Sequence, residues 1–168
     1  MAVVTPHRRK GKQAHRGLEI PRSPLSKKDQ PPKMMMREEF QRLAELRAEE
    51  AAVLADNGKE QGAYYLAGLA VECALKACIA KRTKQHQYPP KNTGQYYEHN
   101  LDVLLKLAEL QHELDGELSR SPGFATNWGT VHNWNVDKRY EVTNLRGTEM
   151  VAAVNSADGV LQWLKQRW

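Results

Sequence analysis

From Met36 onward, apolar residues recur at helical spacing among charged ones: Phe40, Leu43, Leu46, Val53 and Leu54 fall toward one side of a helix that Asn57-Gly58 stops. A second helix, from about Glu60 to Arg82, carries Tyr64, Tyr65, Leu66, Leu69, Val71, Cys73, Leu75, Cys78 and Ile79 around its circumference. A helix of that kind is buried on most sides, which makes it the centre of the fold. Its Ala67, Ala70, Ala74 and Ala77 form a smooth strip against which a neighbouring backbone packs closely. Residues 83–97 hold Pro89-Pro90, Asn92 and Gly94 without any apolar period and read as a long connection.

Asn100 is a good N-cap, and Leu101, Leu104, Leu105, Leu107, Ala108, Leu110, Leu114 and Leu118 predict a third helix running toward Ser121-Pro122-Gly123. Phe124, Trp128 and Val131 mark a short fourth helix, whereas Trp134 to Gly147 shows no regular pattern. A last helix is predicted from the stripe Met150, Val154, Ala157, Leu161, Leu164 and Trp168. Nothing alternates with strand period, so residues 34–168 are expected to form an all-α, up-and-down antiparallel bundle of about five helices.

Charge changes the picture less than its total suggests. The formal net charge is +5, but residues 1–33 hold nine of the 25 Lys and Arg and two of the 20 acids. The remainder, with 16 basic against 18 acidic residues, is slightly acidic, so overall basicity is no argument that the domain binds nucleic acid. Pro6, Pro21, Pro24, Pro31 and Pro32, with few large apolar groups, make residues 1–33 a disordered basic tail. Its positive charges precede no signal-peptide core, and its prolines interrupt a transit helix. The run Met34-Met35-Met36 offers an alternative translation start that would exclude this tail from the native protein. No apolar run near the 18-residue membrane length stands out, which predicts a soluble chain without a membrane partner. Cys73 and Cys78 project to different sides of the second helix and read as reduced, core-filling thiols, in keeping with a cytoplasmic location.

Candidate chemistry sits in two places. Glu72 and Lys76, four apart on a helix otherwise almost wholly apolar, are either half-buried partners of each other or charges lining a cleft. The densest cluster is Trp128, His132, Trp134, Asp137, Lys138, Arg139 and Tyr140. Rings of this kind stack on bases, an Arg fork grips phosphate, and His exchanges a proton near neutral pH. The alternative is structural: tryptophans cap a small core, and Arg beside Asp forms a local pair. His99 and His112 read as structural. No metal-ligand spacing, phosphate loop, dinucleotide fingerprint or nucleophile elbow is present, so no cofactor is expected.

The segment Gly62-Ala63-Tyr64-Tyr65-Leu66-Ala67-Gly68-Leu69-Ala70-Val71-Glu72-Cys73-Ala74-Leu75-Lys76-Ala77 resembles the HEPN domain family. His99-Asn100-Leu101 opening the third helix, and Trp134 with Arg139-Tyr140 ahead of the last, are similar to the family as well. The resemblance spans most of residues 36–168. It implies a helical bundle, frequently a homodimer, of the kind found in nucleotide-binding proteins, in metal-independent ribonuclease toxins and beside nucleotidyltransferase partners.

Ribonuclease members carry an Arg ahead of a His at a set short spacing, and this domain lacks it. Arg82 precedes His86 by the wrong interval, no His follows Arg139, and His132 precedes it. Arg9 and His15 match by chance in the tail. Catalysis would require His132 of one chain to meet Arg139 of another. The expectation is therefore a non-catalytic HEPN-type module for a nucleotide, an RNA or a nucleotidyltransferase, part of a toxin-antitoxin or defence system, with Glu72, Lys76, Trp134, Arg139 and Tyr140 lining the groove. A ribonuclease toxin using His132 and a purely structural oligomerisation domain are the alternatives.

Overall fold

The computed structural model describes residues 34–83, 86–89 and 98–168. The expected tail, with Arg9 and His15, and most of the 83–97 connection lie outside them. Among the described residues the protein is all-helical, with no strand and a single isolated antiparallel bridge between Met36 and Gln87.

Helix α1 (Arg37–Asp56) starts where the Glu39 carboxylate accepts the Met36 backbone N–H at 2.8 Å. It ends at Gly58, whose φ of +67° lets the chain reverse within three residues. Helix α2 (Glu60–Lys81) therefore runs back antiparallel along α1. The buried side of α1 is Phe40, Ala44, Ala48 and Ala51, small enough for close approach to the buried alanines of α2. This corrects the expected face: Leu46 is 41% and Val53 61% exposed, because the two helices meet through alanines rather than through the largest residues.

As expected, α2 is enclosed along most of its length, with Val71, Cys73, Leu75, Cys78 and Ile79 buried and α1, α3, α6 and α7 packed on it. By length and composition α2 could cross a bilayer, contrary to the expectation that no such stretch exists; 72% of its most apolar window is buried inside the protein. It passes that test for the same reason it serves as a core helix.

The single third helix predicted from the leucines is two: α3 (Leu101–Leu107) and α4 (Gln111–Arg120). Between them Glu109 adopts a φ of +56°, its N–H bonding to the Lys106 carbonyl while the Leu110 N–H reaches back to Leu105 at 3.1 Å. That pair of bonds is a Schellman ending, sealed by buried Leu105 and Leu110. Helix α5 (Pro122–Val131) follows, capped by Ser121 and seated by buried Phe124, Trp128 and Val131. The irregular stretch holds a short 3-10 helix, Val136–Tyr140.

The last predicted helix is also two, α6 (Gly147–Asn155) and α7 (Val160–Lys165). Ser156 to Gly159 form a turn that leaves Ala157 exposed, contrary to its place in the predicted stripe. Helix α6 starts hard against α2: a Cβ on Gly147 would stand 2.3 Å from the Glu60 carbonyl oxygen. The Glu60 carboxylate caps this start, accepting from the Thr148 N–H at 2.9 Å and from its hydroxyl at 2.7 Å.

Candidate functional site

One side of α2 presents Tyr65, Gly68, Glu72 and Lys76, successive members lying about one turn apart. Each receives a residue from elsewhere in the chain. Lys76 Nζ lies 2.6 Å from Glu72 Oε1, so the spacing-based pairing of the two is realised, and both side chains are buried. A carboxylate withdrawn from water this far is costly unless its lone pairs are met. His99 meets the rest, with Nδ1 at 3.1 Å from both Glu72 oxygens.

The start of α3 holds His99 in place. Glu98 accepts the backbone N–H groups of His99 and Asn100, and Asn100 Oδ1 caps Asp102 and Val103. The N–H groups of Asn100 and then His99 hold the Glu98 carboxyl below its ordinary range. Because the Glu72 carboxylate calls for a donor, the imidazole hydrogen belongs on Nδ1, and Nε2 is left on a side chain 49% exposed. Lys76 lies 5.6 Å from the Tyr88 ring centroid, and Tyr88 packs on Phe40. The result is a buried charged cluster that reaches the surface through an oriented imidazole, an arrangement able to donate or accept a hydrogen bond or a proton.

Two turns toward the N-terminus of α2 lies the second cluster. Trp134 is 1% exposed and lies flat on Gly68, its ring 5.9 Å from that of Tyr65. Its faces are taken by α2, so it supports the site and offers no free ring to a ligand. From this anchor the 3-10 helix carries Arg139 outward, its guanidinium 4.7 Å from the Tyr140 ring centroid. Tyr140 is 71% exposed. Tyr140, and after it Tyr65, hold the Arg139 guanidinium above its ordinary range. Among the described residues Arg139 makes no ion pair, so the local Arg-Asp pair of the structural alternative does not form, whereas Lys138 is paired with Glu141 at 2.7 Å. Gln61 ties the following loop to α2 through the Val142 carbonyl.

The predicted site residues thus form two clusters on one side of α2, separated by Trp134 and about 10 Å of helix rise, rather than one groove. His132 caps the end of α5, half-buried, and its side chain makes no hydrogen bond or ion pair among the described residues. Trp128 is in the core. Sequence reasoning missed His99, Tyr65 and Tyr88 as members. Burial pushes both Cys73 and Cys78 up to about 12, which removes them as nucleophiles at neutral pH. Among the described residues no three His, Cys, Asp or Glu side chains come together as metal ligands.

Comparison of the chain with profiles of known protein families, with curated proteins and with solved structures found no match.

Proposed function

We propose that this chain is a non-catalytic binding module of the HEPN type, an antiparallel helical bundle that recognises a nucleotide, an RNA or a nucleotidyltransferase partner through Arg139 and Tyr140. The observation that carries the reading is the guanidinium of Arg139, without a carboxylate partner among the described residues and stacked on an exposed Tyr140. A planar cation without a carboxylate partner, beside an open ring, suits a phosphate and its adjoining base. Such a module fits a toxin-antitoxin or defence setting. The test is fluorescence anisotropy with a labelled single-stranded RNA and with labelled ATP, at low and physiological salt. Arg139→Ala and Tyr140→Ala are each expected to weaken binding about tenfold or more, with helix content and melting temperature unchanged. A wild-type protein that binds neither probe and captures no nucleotidyltransferase would leave the oligomerisation reading in its place.

A second reading, metal-independent ribonuclease activity, is favoured by one observation: the imidazole of His99 held by a buried carboxylate. General acid-base catalysis needs a group poised in this way. On this reading RNA is cut in the presence of a chelator, and His99→Ala abolishes cutting while His132→Ala does not. Intact RNA after incubation with the wild type ends it.

A further inference from the structure

His99 stands apart from the other histidines of the fold. Among the described residues it is the one whose ring lies on a carboxylate, with Nδ1 at 3.1 Å from both Glu72 oxygens. His112, on α4, is exposed, and its side chain makes no hydrogen bond or ion pair among the described residues. The carboxylate against His99 is fixed: the Glu72 side chain is buried, and its Oε1 also accepts from Lys76 Nζ at 2.6 Å, which balances its charge within the fold. The His99 side chain, by contrast, is half-exposed.

With the hydrogen of Nδ1 committed to Glu72, the ring keeps its lone pair on Nε2. An electrophile that bonds there turns the ring into a cation substituted on both nitrogens, and the Glu72 carboxylate already lies where that charge develops. The group that suits this cluster carries negative charge of its own. Glu72 and Lys76 balance each other, so a ring made cationic by a neutral group would leave one positive charge in excess, whereas a phosphoryl group brings about two negative charges with it. The neighbouring Glu98 carboxylate is taken up by the backbone, accepting the N–H groups of His99 and Asn100. Among the described residues no third His, Cys, Asp or Glu joins Glu72 and His99 as a metal ligand.

We propose that Nε2 of His99 is a phosphoryl acceptor, charged by a donor of the acyl phosphate or phosphoramidate class. The Nε2 lone pair forms the N–P bond while the bond from phosphorus to the leaving group breaks. The electron pair of that bond departs on the carboxylate oxygen of an acyl phosphate, or on the nitrogen of an N-protonated phosphoramidate, which leaves as ammonia. Nδ1 keeps its hydrogen throughout, so neither a proton nor an electron has to come from elsewhere. The proposal is independent of ligand binding at Arg139. It also differs from RNA cleavage by His99, in which the ring only exchanges protons and retains no group.

The test incubates the full chain with potassium phosphoramidate and follows each histidine by intact mass and by peptide mapping under alkaline conditions. The native protein is expected to gain an acid-labile phosphoryl group at His99 about tenfold or more faster than at His112 of the same molecule. His99→Gln, which keeps a donor toward Glu72, is expected to lose this fast reaction. Glu72→Gln is expected to slow His99 about tenfold while leaving His112 unchanged. Unfolding the wild type in urea is expected to bring the two histidines to one rate, which reads the dependence on the fold even if the Glu72→Gln protein is unstable. Labelling that favours His112 or spreads evenly over the histidines, an advantage at His99 that survives in urea, or a folded Glu72→Gln protein labelled at the wild-type rate would each overturn the proposal.

Discussion

Replacing Gly68 with Ala tests the packing on which the Arg139 cluster rests. A Cβ at this position would lie 2.1 Å from Trp134 Cδ1 and 2.3 Å from Cγ and Nε1, well inside the contact distance of about 3.5–4.0 Å for carbon atoms. Helix α2 is held by its neighbours on most sides, so the indole is the group that must move. In the interior of an unhindered helix the substitution would be favourable by about 1 kcal/mol. Against that gain stand about 1–3 kcal/mol for overpacking, rising toward about 3–5 kcal/mol if the indole leaves its seat altogether. The net expectation is a loss of about 1–3 kcal/mol in urea unfolding followed by circular dichroism, accompanied by weaker ligand binding because the 3-10 helix loses its anchor. In a Trp134→Val background the clash is gone, and the same Gly68→Ala change is expected to stabilise by up to about 1 kcal/mol. A Gly68→Ala protein as stable as the wild type, or an unchanged sign in the Trp134→Val background, would refute the reasoning.

Three further outcomes follow from the geometry. Lys76→Met removes the closest partner of a buried carboxylate and is expected to cost about 3–5 kcal/mol, whereas replacing Glu72 and Lys76 together with leucines costs far less; equal losses in urea titrations would contradict this. The Thr148 hydroxyl, and then its backbone N–H, hold the Glu60 carboxyl below its ordinary 4.5. A carboxyl whose folded value is lowered contributes stability at neutral pH that disappears as pH falls through that lowered value. The melting temperatures of wild type and Glu60→Gln should therefore converge as pH drops below 4.5, and a gap that persists to strongly acid pH would count against the capping role. Cys73 and Cys78, buried and pushed up to about 12, are expected to resist a thiol reagent at pH 8 in the native protein and to react on unfolding. Fast native labelling would show that they are accessible.

The helices were legible where apolar phase and punctuation agreed, and their interruptions were not read although the phase recorded one of them. On an unbroken helix Leu101, Leu104, Leu105 and Ala108 would share a side, while Leu110 and Leu114 would stand about 150° around from it. One helix cannot bury both sets against the same core, and the left-handed Glu109 is where the chain realigns them. The break between α6 and α7 hid better, because the stripe from Met150 to Leu164 continues almost in step across the turn. There the signal was chemical: Asn155, Ser156, Asp158 and Gly159 are turn formers in sequence. On α1 the large apolar residues Leu46 and Val53 do not mark the core side. Close approach of two helix backbones rewards alanine, so the core side was the one with the smallest apolar residues.

The site was legible only within single helical turns. The four-residue interval placed Glu72 and Lys76 together, and adjacency placed Arg139 beside Tyr140, but what covers each group comes from segments distant in the chain. His99 reaches Glu72 across 27 residues, a contact that no local period encodes. One long-range feature was nevertheless written in the sequence. A glycine in the interior of a helix costs about 1 kcal/mol relative to alanine, and α2 is otherwise so rich in alanine that Gly68 stands out as a cost with no local return. The return is nonlocal: without a side chain at that point α2 admits the flat face of Trp134. That contact sets the depth at which the 3-10 helix sits, and hence how far Arg139 and Tyr140 project. Gly68 thus belongs to the site as much as the residues that face solvent, because it fixes the base from which they extend.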